Sequence, residues 1–371
     1  MTIALIAYYL GPRLGIGNYI NQLSPLLVPL LRQQDKDIKI LSSPNAAKNT
    51  PALNYLSDYV EILPELDFSP LKRYFWLATK FSKYCRENDI KLVVWLSNPV
   101  ILPWHPASIA VIHDVTEWKA KEKYGSRFRT ALRSWLYLDN SILFSKKIIV
   151  VSQATKNDLF YFRPHLKKQR KTEVISNGVD STLTSRSVVD ISALDVPFLL
   201  SVGRIDPVAK RLPEAVSLVK ALRQKSGESW QLQLVGGMNS STQKAGESFL
   251  ESTSDLDWVH YQGHVSDDEL AQWYRRSSGV VFLSDNEGFG CPIAEAASFR
   301  KWVIVNQANE AAAEVGKGSI IPIDLKESQK SAIKVLHQLS SDEEPKFNDA
   351  LPTWDISAQA YANVIASILQ N

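Results

Sequence analysis

The sequence predicts an α/β protein made of two doubly wound parallel-sheet domains, and three observations lead there. Its 371 residues exceed one ordinary core and suit two domains of roughly 150 to 200 residues each. A content of 45% hydrophobic and 22% charged residues belongs to a folded globular chain rather than a disordered or low-complexity one. Short β-branched or aliphatic runs recur with longer helical stretches between them, the pattern of parallel strands joined by crossover helices.

In the first half those runs are IALIAYY (3–9), IKIL (38–41), YVEIL (59–63), LVVWL (92–96), SIAVIH (108–113), KIIVV (147–151) and EVI (173–175). The second half repeats the plan with FLLSVG (198–203), LQLVGG (232–237), WVHYQG (258–263), GVVFLS (279–284), WVIV (302–305) and SIIPI (319–323). Amphipathic stretches such as LPEAVSLVKALRQ (212–224) and DDELAQWYRRS (267–277) separate them. Ser266 and Glu269 have the capping-box spacing, and Pro292 stands where a first helical residue belongs. The Asn177-Gly178 turn and the aperiodic stretch after it mark a domain joint. The expected division is 1–183, 184–352 and a C-terminal helix in 353–371, which follows Pro352 and is expected to pack back across both domains.

Composition removes several functional classes. The two cysteines, Cys85 and Cys291, stand far apart without nearby His or Cys, so neither a disulfide framework nor a metal site is expected. A reducing cytoplasm fits. The amino terminus begins directly on an apolar run without a basic leader, and no run approaches 18 apolar residues, so no bilayer span is expected. The net charge of +3 hides an imbalance. Residues 1–183 hold 25 Lys and Arg against 15 Asp and Glu, while the remainder holds 17 against 24. A basic first half suits an anionic substrate or membrane surface, but no nucleic-acid module is present. The tracts LKRYFWLATKFSKYCR (71–86) and SRFRTALRSWLYLDNSILFSKK (126–147) mix basic and aromatic residues as membrane-surface helices do. For both, the reading adopted is an aromatic face in the core and a basic face in water.

In open parallel sheets, ligands collect outside the carboxyl ends of the strands. After the first strand comes Gly11-Pro-Arg-Leu-Gly15-Ile16-Gly17 and then a helix, a layout that turns backbone N–H groups toward an anion. The second strand ends in Ser42-Ser43 rather than an acid, which disfavours a nicotinamide dehydrogenase. His113 ends a strand, where it can face a sugar or carry a proton, and Asp114 reads as a cap or turn residue. In the second half, Arg204 directly follows a strand and Lys210 precedes the next helix, a pair suited to clamping a diphosphate. The sharpest constellation is SDNEGFGCPIAEA, in which Gly288 and Gly290 permit close backbone approach to a ligand. Glu295, expected on the first helical turn, points back toward the helix amino terminus. A carboxylate there cannot bind phosphate and must accept from hydroxyls, so the ligand carries both groups, as a nucleotide sugar does. Asp35 and Asp37 precede a strand and read as solvated.

GIGNY, the strand-end HD, VVSQATKNDL, VISNGVD, LLSVGRIDPVAKR, LQLVGG, YQGHVSDDEL, EGFGCPIAEA, AAAEVG and a TWD-initiated helix occur in this order over most of the chain. In this the sequence resembles a family-four retaining glycosyltransferase of the GT-B fold. The resemblance implies two Rossmann-like domains facing a cleft, with the acceptor on the first and the nucleotide sugar mainly on the second. It implies that Arg204 and Lys210 hold the donor diphosphate and that Glu295 takes the ribose. Glu287 would lie near the transferred sugar, and Phe289-Gly290-Cys291-Pro292 would reach sugar and phosphate. His113 would face the donor sugar, with Gly15, Ile16 and Gly17 near the phosphates and acceptor. Cys291 stands where the family often has leucine, and VTEWK after Asp114 lacks a proline common there. The implied reaction needs no metal or cofactor beyond a GDP- or UDP-sugar, and the acceptor is a glycan or lipid-linked saccharide. Two other readings share the layout: a catalytically idle nucleotide-sugar-binding protein, and a sugar-nucleotide epimerase or phosphorylase.

Overall fold

The computed structural model describes residues 1–9, 15–97, 99–119, 126–180, 182–189, 195–239 and 242–370. The chain forms two compact units, Met1–Gly178 with Pro352–Asn371, and Val179–Leu351. Each carries one wholly parallel sheet.

The first unit contains β1 (Thr2–Ala7), β2 (Asp37–Ser42), β3 (Val60–Ile62), β4 (Ile90–Trp95), β5 (Ala107–Ile112), β6 (Lys147–Val150) and β7 (Thr172–Val174), in spatial order β3-β2-β1-β4-β5-β6-β7. Every apolar run of the first half is a strand. The reason is burial on both faces: from Ile3 to Ala7 no side chain of β1 reaches solvent, so consecutive aliphatic residues rather than an alternation are required. Leu5 sits between Ile40 of β2 and Val94 of β4, which sets the register. Phe81, Trp95, Ala110 and Ile148 belong to the core over this sheet.

The second unit contains β8 (Phe198–Val202), β9 (Gln231–Val235), β10 (Val259–Gly263), β11 (Gly279–Phe282), β12 (Val303–Asn306) and β13 (Ile320–Ile323), in order β10-β9-β8-β11-β12-β13. Leu199, Leu232, Val281 and Ile304 lie in its core with the apolar face of helix Leu212–Ser226. Both sheets reverse strand order in the same way, between β1 and β4 and between β8 and β11. At such a reversal the crossovers leave in opposite directions and open a crevice at the carboxyl edge.

Ser266 and Glu269 form the full capping box of helix Asp267–Arg276. Helix Cys291–Ser298 begins one residue before Pro292, so the proline is its second residue and Glu295 its fifth. Glu295 therefore stands just past the first turn, not on it, because Gly290 at φ +93 ends the preceding loop and lets the helix start at Cys291.

The C-terminal helix Trp354–Leu369 belongs to the first unit, where Tyr361 accepts from the Tyr19 hydroxyl at 2.5 Å and Ser357 donates to the Ser176 carbonyl. Asp37 is paired with Arg32 at 3.1 Å and remains well exposed. The two basic-aromatic tracts correct the expectation of a buried aromatic face. Tyr74, Trp76, Tyr84 and Leu136 pack on the core, but Leu71, Phe75, Phe128 and Trp135 are exposed. Each tract carries more apolar side chains than one core-facing stripe holds.

Candidate functional site

In the second unit the site is built on the loops after β8 and β11. The loop 203–211 leaves β8 through Gly203 at φ +134 and is pinned to the next strand's loop: Gly203 N–H donates to Val235 O, and Ile205 N–H to Gly237 O, each at 2.9 Å. Gly236, at φ +142, lies so close that a Cβ there would stand 1.9 Å from the Gly203 carbonyl oxygen. Only glycine fits both the backbone and the approach. Asp206 then organises the turn. Its Oδ1 accepts from the Ala209 N–H at 3.1 Å, its Oδ2 from Arg204 at 3.1 Å, and its carbonyl from the Lys210 N–H at 2.9 Å.

Lys210 Nζ donates to Glu287 Oε1 at 2.5 Å and lies 4.8 Å from the Phe282 ring centroid. The loops after β8 and β11 thus meet through one of the expected cations and one of the expected acids. Arg204 pairs with Asp206, and its Nε is buried without a hydrogen bond. Such an N–H costs free energy until an acceptor reaches it. The adjacent Arg211 turns the other way. At φ +52 it donates through Nε to Asp285 Oδ2 at 2.9 Å and contacts Glu214 at 3.2 Å. Asp285 also accepts from Asn306 Nδ2 at 2.7 Å, so the loops after β8 and β11 and the end of β12 share one brace. The Asp285 carboxylate holds the Arg211 guanidinium even more firmly protonated than usual.

Glu295 faces Tyr274, whose hydroxyl donates to Oε2 at 2.8 Å. Desolvation raises the Glu295 carboxyl to about 7, against the lowering effect of the Tyr274 hydrogen bond, with Asp180 and Asp267 adding a further upward push. Gly288, Phe289 and Gly290 are buried, while Cys291 and Pro292 are partly exposed at the helix start. A Cβ on Gly290 would meet Ile293 Cδ1 at 2.9 Å.

In the first unit Gly15, Ile16 and Gly17 open helix Gly15–Arg32, with Gly17 buried and Gly15 exposed. Gly11 to Leu14, part of the same expected loop, lie outside the described residues. His113 follows β5. One ring nitrogen, Nε2, is 2.8 Å from the Leu96 carbonyl oxygen, and the ring meets the edge of Tyr19 at 4.7 Å between centroids. Burial lowers its pKa, against the raising effects of the Leu96 carbonyl and Asp114. Asp114 accepts from the Thr116 N–H at 2.8 Å, a turn role. Ser42 donates to the Ala7 carbonyl and Ser43 caps the next short helix, leaving no acid at the end of β2.

Asp285, Asn306 and Tyr274 were not singled out from sequence. Asp285 lay in view, two residues before Glu287, and its place after a strand was an available signal. Tyr274 sits on a different helix, and nothing local pairs it with Glu295. Among the described residues, no group of three or more His, Cys, Asp and Glu is arranged to hold a metal ion.

Two family profiles match the chain in adjacent stretches: one described as Glycosyltransferase Family 4 over residues 26–183, and one described as Glycosyl transferases group 1 over residues 190–348. Solved structures are similar over the whole length. A sucrose-phosphate synthase from Thermosynechococcus elongatus is 19% identical with a TM-score of 0.68, covering 100% of this chain and 99% of the other. Anabaena HepE in complex with UDP-glucose is 17% identical with a TM-score of 0.66 and the same coverage. A UDP-GlcNAc 2-epimerase from Methanocaldococcus jannaschii is 13% identical with a TM-score of 0.60, covering 99% of this chain and 100% of the other. These likenesses show the shared two-domain fold. No curated protein sequence matches the chain.

Proposed function

From the premise that the chain belongs to the family-four glycosyltransferases of the GT-B fold, we propose that it moves a hexose from a GDP- or UDP-linked donor to a hydroxyl of a glycan or lipid-linked acceptor, with retention at the anomeric carbon. The observation that carries this reading is the meeting of Lys210 and Glu287 at the strand-order reversal of the second sheet. Arg204 stands on the same loop, and Glu295 lies one turn into the helix that follows Glu287. A donor diphosphate arriving there draws Lys210 away from Glu287 and supplies acceptors to Arg204, including its unbonded Nε. The freed Glu287 carboxylate then accepts from hydroxyls of the transferred sugar, while Glu295 accepts from the ribose.

The bond from the anomeric carbon to the diphosphate oxygen breaks as the acceptor oxygen bonds to that carbon on the same face, and the leaving diphosphate takes the acceptor's proton. Charge grows on the diphosphate, and fixed cations and loop N–H groups oppose it most effectively in a water-poor site. Gly288 to Cys291 would supply those N–H groups. By the family resemblance, His113 would face the donor sugar and Gly15 to Gly17 would lie near the phosphates and the acceptor. The HepE structure in complex with UDP-glucose supports the donor class, and a chain with two widely spaced cysteines suits the reducing cytoplasm.

The test is product analysis with UDP- and GDP-hexoses. Transfer releases nucleoside diphosphate, whereas an epimerised sugar nucleotide would favour the epimerase reading. Arg204→Ala is expected to lower turnover by about 10²- to 10³-fold, and Glu287→Gln to remove most transfer, the scale for one lost preorganised group. Near-normal turnover in both variants would defeat the assignment.

A further inference from the structure

We propose that the first unit docks on an anionic lipid bilayer through two neighbouring helices, entering it with Leu71 and Phe75 of one and Phe128 and Trp135 of the other. The helix Pro70–Thr79 buries Arg73 and Leu77 but turns Leu71 and Phe75 outward, 76% and 68% exposed. With Phe68 and Trp76 these line an open groove of about 440 Å³, and Lys72 and Lys80 stand at its walls. In the second, helix Arg127–Ser134 with the π-helical turn Trp135–Asp139 that continues it, Phe128, Leu132 and Trp135 recur at helical spacing and are 75%, 44% and 56% exposed. Arg127, Arg129 and Arg133 lie among them, and residues 126–138 contain no acid. The first one, Asp139, is already held by Arg163 Nε at 2.6 Å. The segments are neighbours, because the Tyr137 hydroxyl donates to the Pro70 carbonyl at 2.7 Å and the Tyr74 and Tyr137 rings lie 5.6 Å apart.

Large apolar side chains standing singly among cations have a specific complement. Acyl chains take the rings and anionic headgroups take the lysines and arginines, whose stems lie along the boundary. A second copy of this chain would bring the same cations against themselves, which disfavours self-association through this face. The Arg73 guanidinium lies 5.1 Å from the ring of Tyr8, just past the carboxyl end of β1. The first helix therefore lies against the carboxyl edge of the sheet, and the second meets its start where Tyr137 donates to Pro70. That position deepens the acceptor reading, on which it rests for its biological meaning, toward an acceptor carried in the membrane.

The experiment is co-sedimentation of the full chain with vesicles of phosphatidylcholine alone and of phosphatidylcholine with phosphatidylglycerol. Binding is expected only to the phosphatidylglycerol vesicles and should fall by at least about ten-fold in Leu71→Ser/Phe75→Ser and in Phe128→Ser/Trp135→Ser. Lys72→Glu/Arg129→Glu, whose side chains are exposed, should weaken it comparably and keeps the test valid if an apolar variant misfolds. Absence of pelleting, equal binding to both vesicles, or full binding by all three variants overturns the proposal. So does a dimer in light scattering that the apolar variants convert to monomer, which would make the face a contact between copies. Release of nucleoside diphosphate from the donor is measured in parallel: its persistence without vesicle binding rejects the docking face and leaves the transferase reading standing.

Discussion

Glu295 and Tyr274 show how one hydrogen bond tunes a carboxyl group. With its carboxyl raised to about 7, Glu295 is a mixture of acid and carboxylate near neutrality, and only the carboxylate accepts from a ribose without a competing proton. Donor affinity is therefore expected to rise as pH climbs through about 7 and then level off. The stability sign is the opposite. A raised folded-state value is a contribution fully present below the ordinary carboxylate range and lost as pH rises through about 7. Tyr274→Phe removes the hydrogen bond that favours the charged form, so the pH midpoint of donor affinity should move upward. Calorimetric titration of nucleoside diphosphate sugar across pH measures this, and a midpoint that stays or falls would refute the coupling. For His113 the direction is reversed: burial lowers its folded-state value, so its contribution to stability is present above the ordinary histidine range and lost on acidification. Glu287 and Glu295 stood out from the sequence because each acid follows a strand near glycines. Their pairings did not, since Lys210, itself a candidate, is 77 residues from Glu287 and Tyr274 lies on another helix.

The strands were legible because both faces of each sheet are buried, which forces uninterrupted aliphatic runs such as KIIVV and GVVF into the letters themselves. Loop geometry was less so. The glycines of LQLVGG are visible in sequence, but the reason for Gly236 is the Gly203 carbonyl, which a Cβ would meet at 1.9 Å. Gly236→Ala must displace the loop that carries Arg204 and Lys210, besides straining a backbone at φ +142. The expected cost is about 2 to 4 kcal/mol of stability in the second unit, within the range for severe backbone and packing conflicts. Urea denaturation followed by tryptophan fluorescence would report it, and a loss below about 0.5 kcal/mol would contradict the close approach. Arg211 makes the converse case. A non-glycine residue at φ +52 is tolerated where Asp285 and Glu214 hold its side chain.

At the scale of the chain, residues from both ends complete one unit. Trp354, Ala358, Tyr361 and Ile365 of the last helix are buried, and Tyr19, which touches His113, meets both Trp354 and Tyr361. A Cβ on Gly178 would stand 2.3 Å from the Trp354 backbone nitrogen, so the Asn-Gly turn serves close packing as well as the change of direction. Tyr361→Phe should cost about 1 kcal/mol, the scale of one buried hydrogen bond, while removal of residues 352–371 should expose the face of helix Gly15–Arg32 and destabilise the amino-terminal unit selectively. Hydrogen exchange resolved by peptide would show faster exchange in β1 and β4 of the truncated chain. Unchanged protection there would mean that the last helix contributes little to the first core.

By itself the amino-acid sequence determined the two parallel sheets, the strand positions and the choice of Arg204, Lys210, Glu287 and Glu295 as residues worth following, because burial periodicity and strand-end position are local properties of a chain. Only the tertiary structure decided that Lys210 meets Glu287, that Arg211 turns to Asp285, that Tyr274 donates to Glu295, and that Leu71, Phe75, Phe128 and Trp135 remain outside the first core. Those outcomes depend on which loops the strand order brings side by side and on how much apolar surface a core has room to cover, and neither is written in any short stretch of residues.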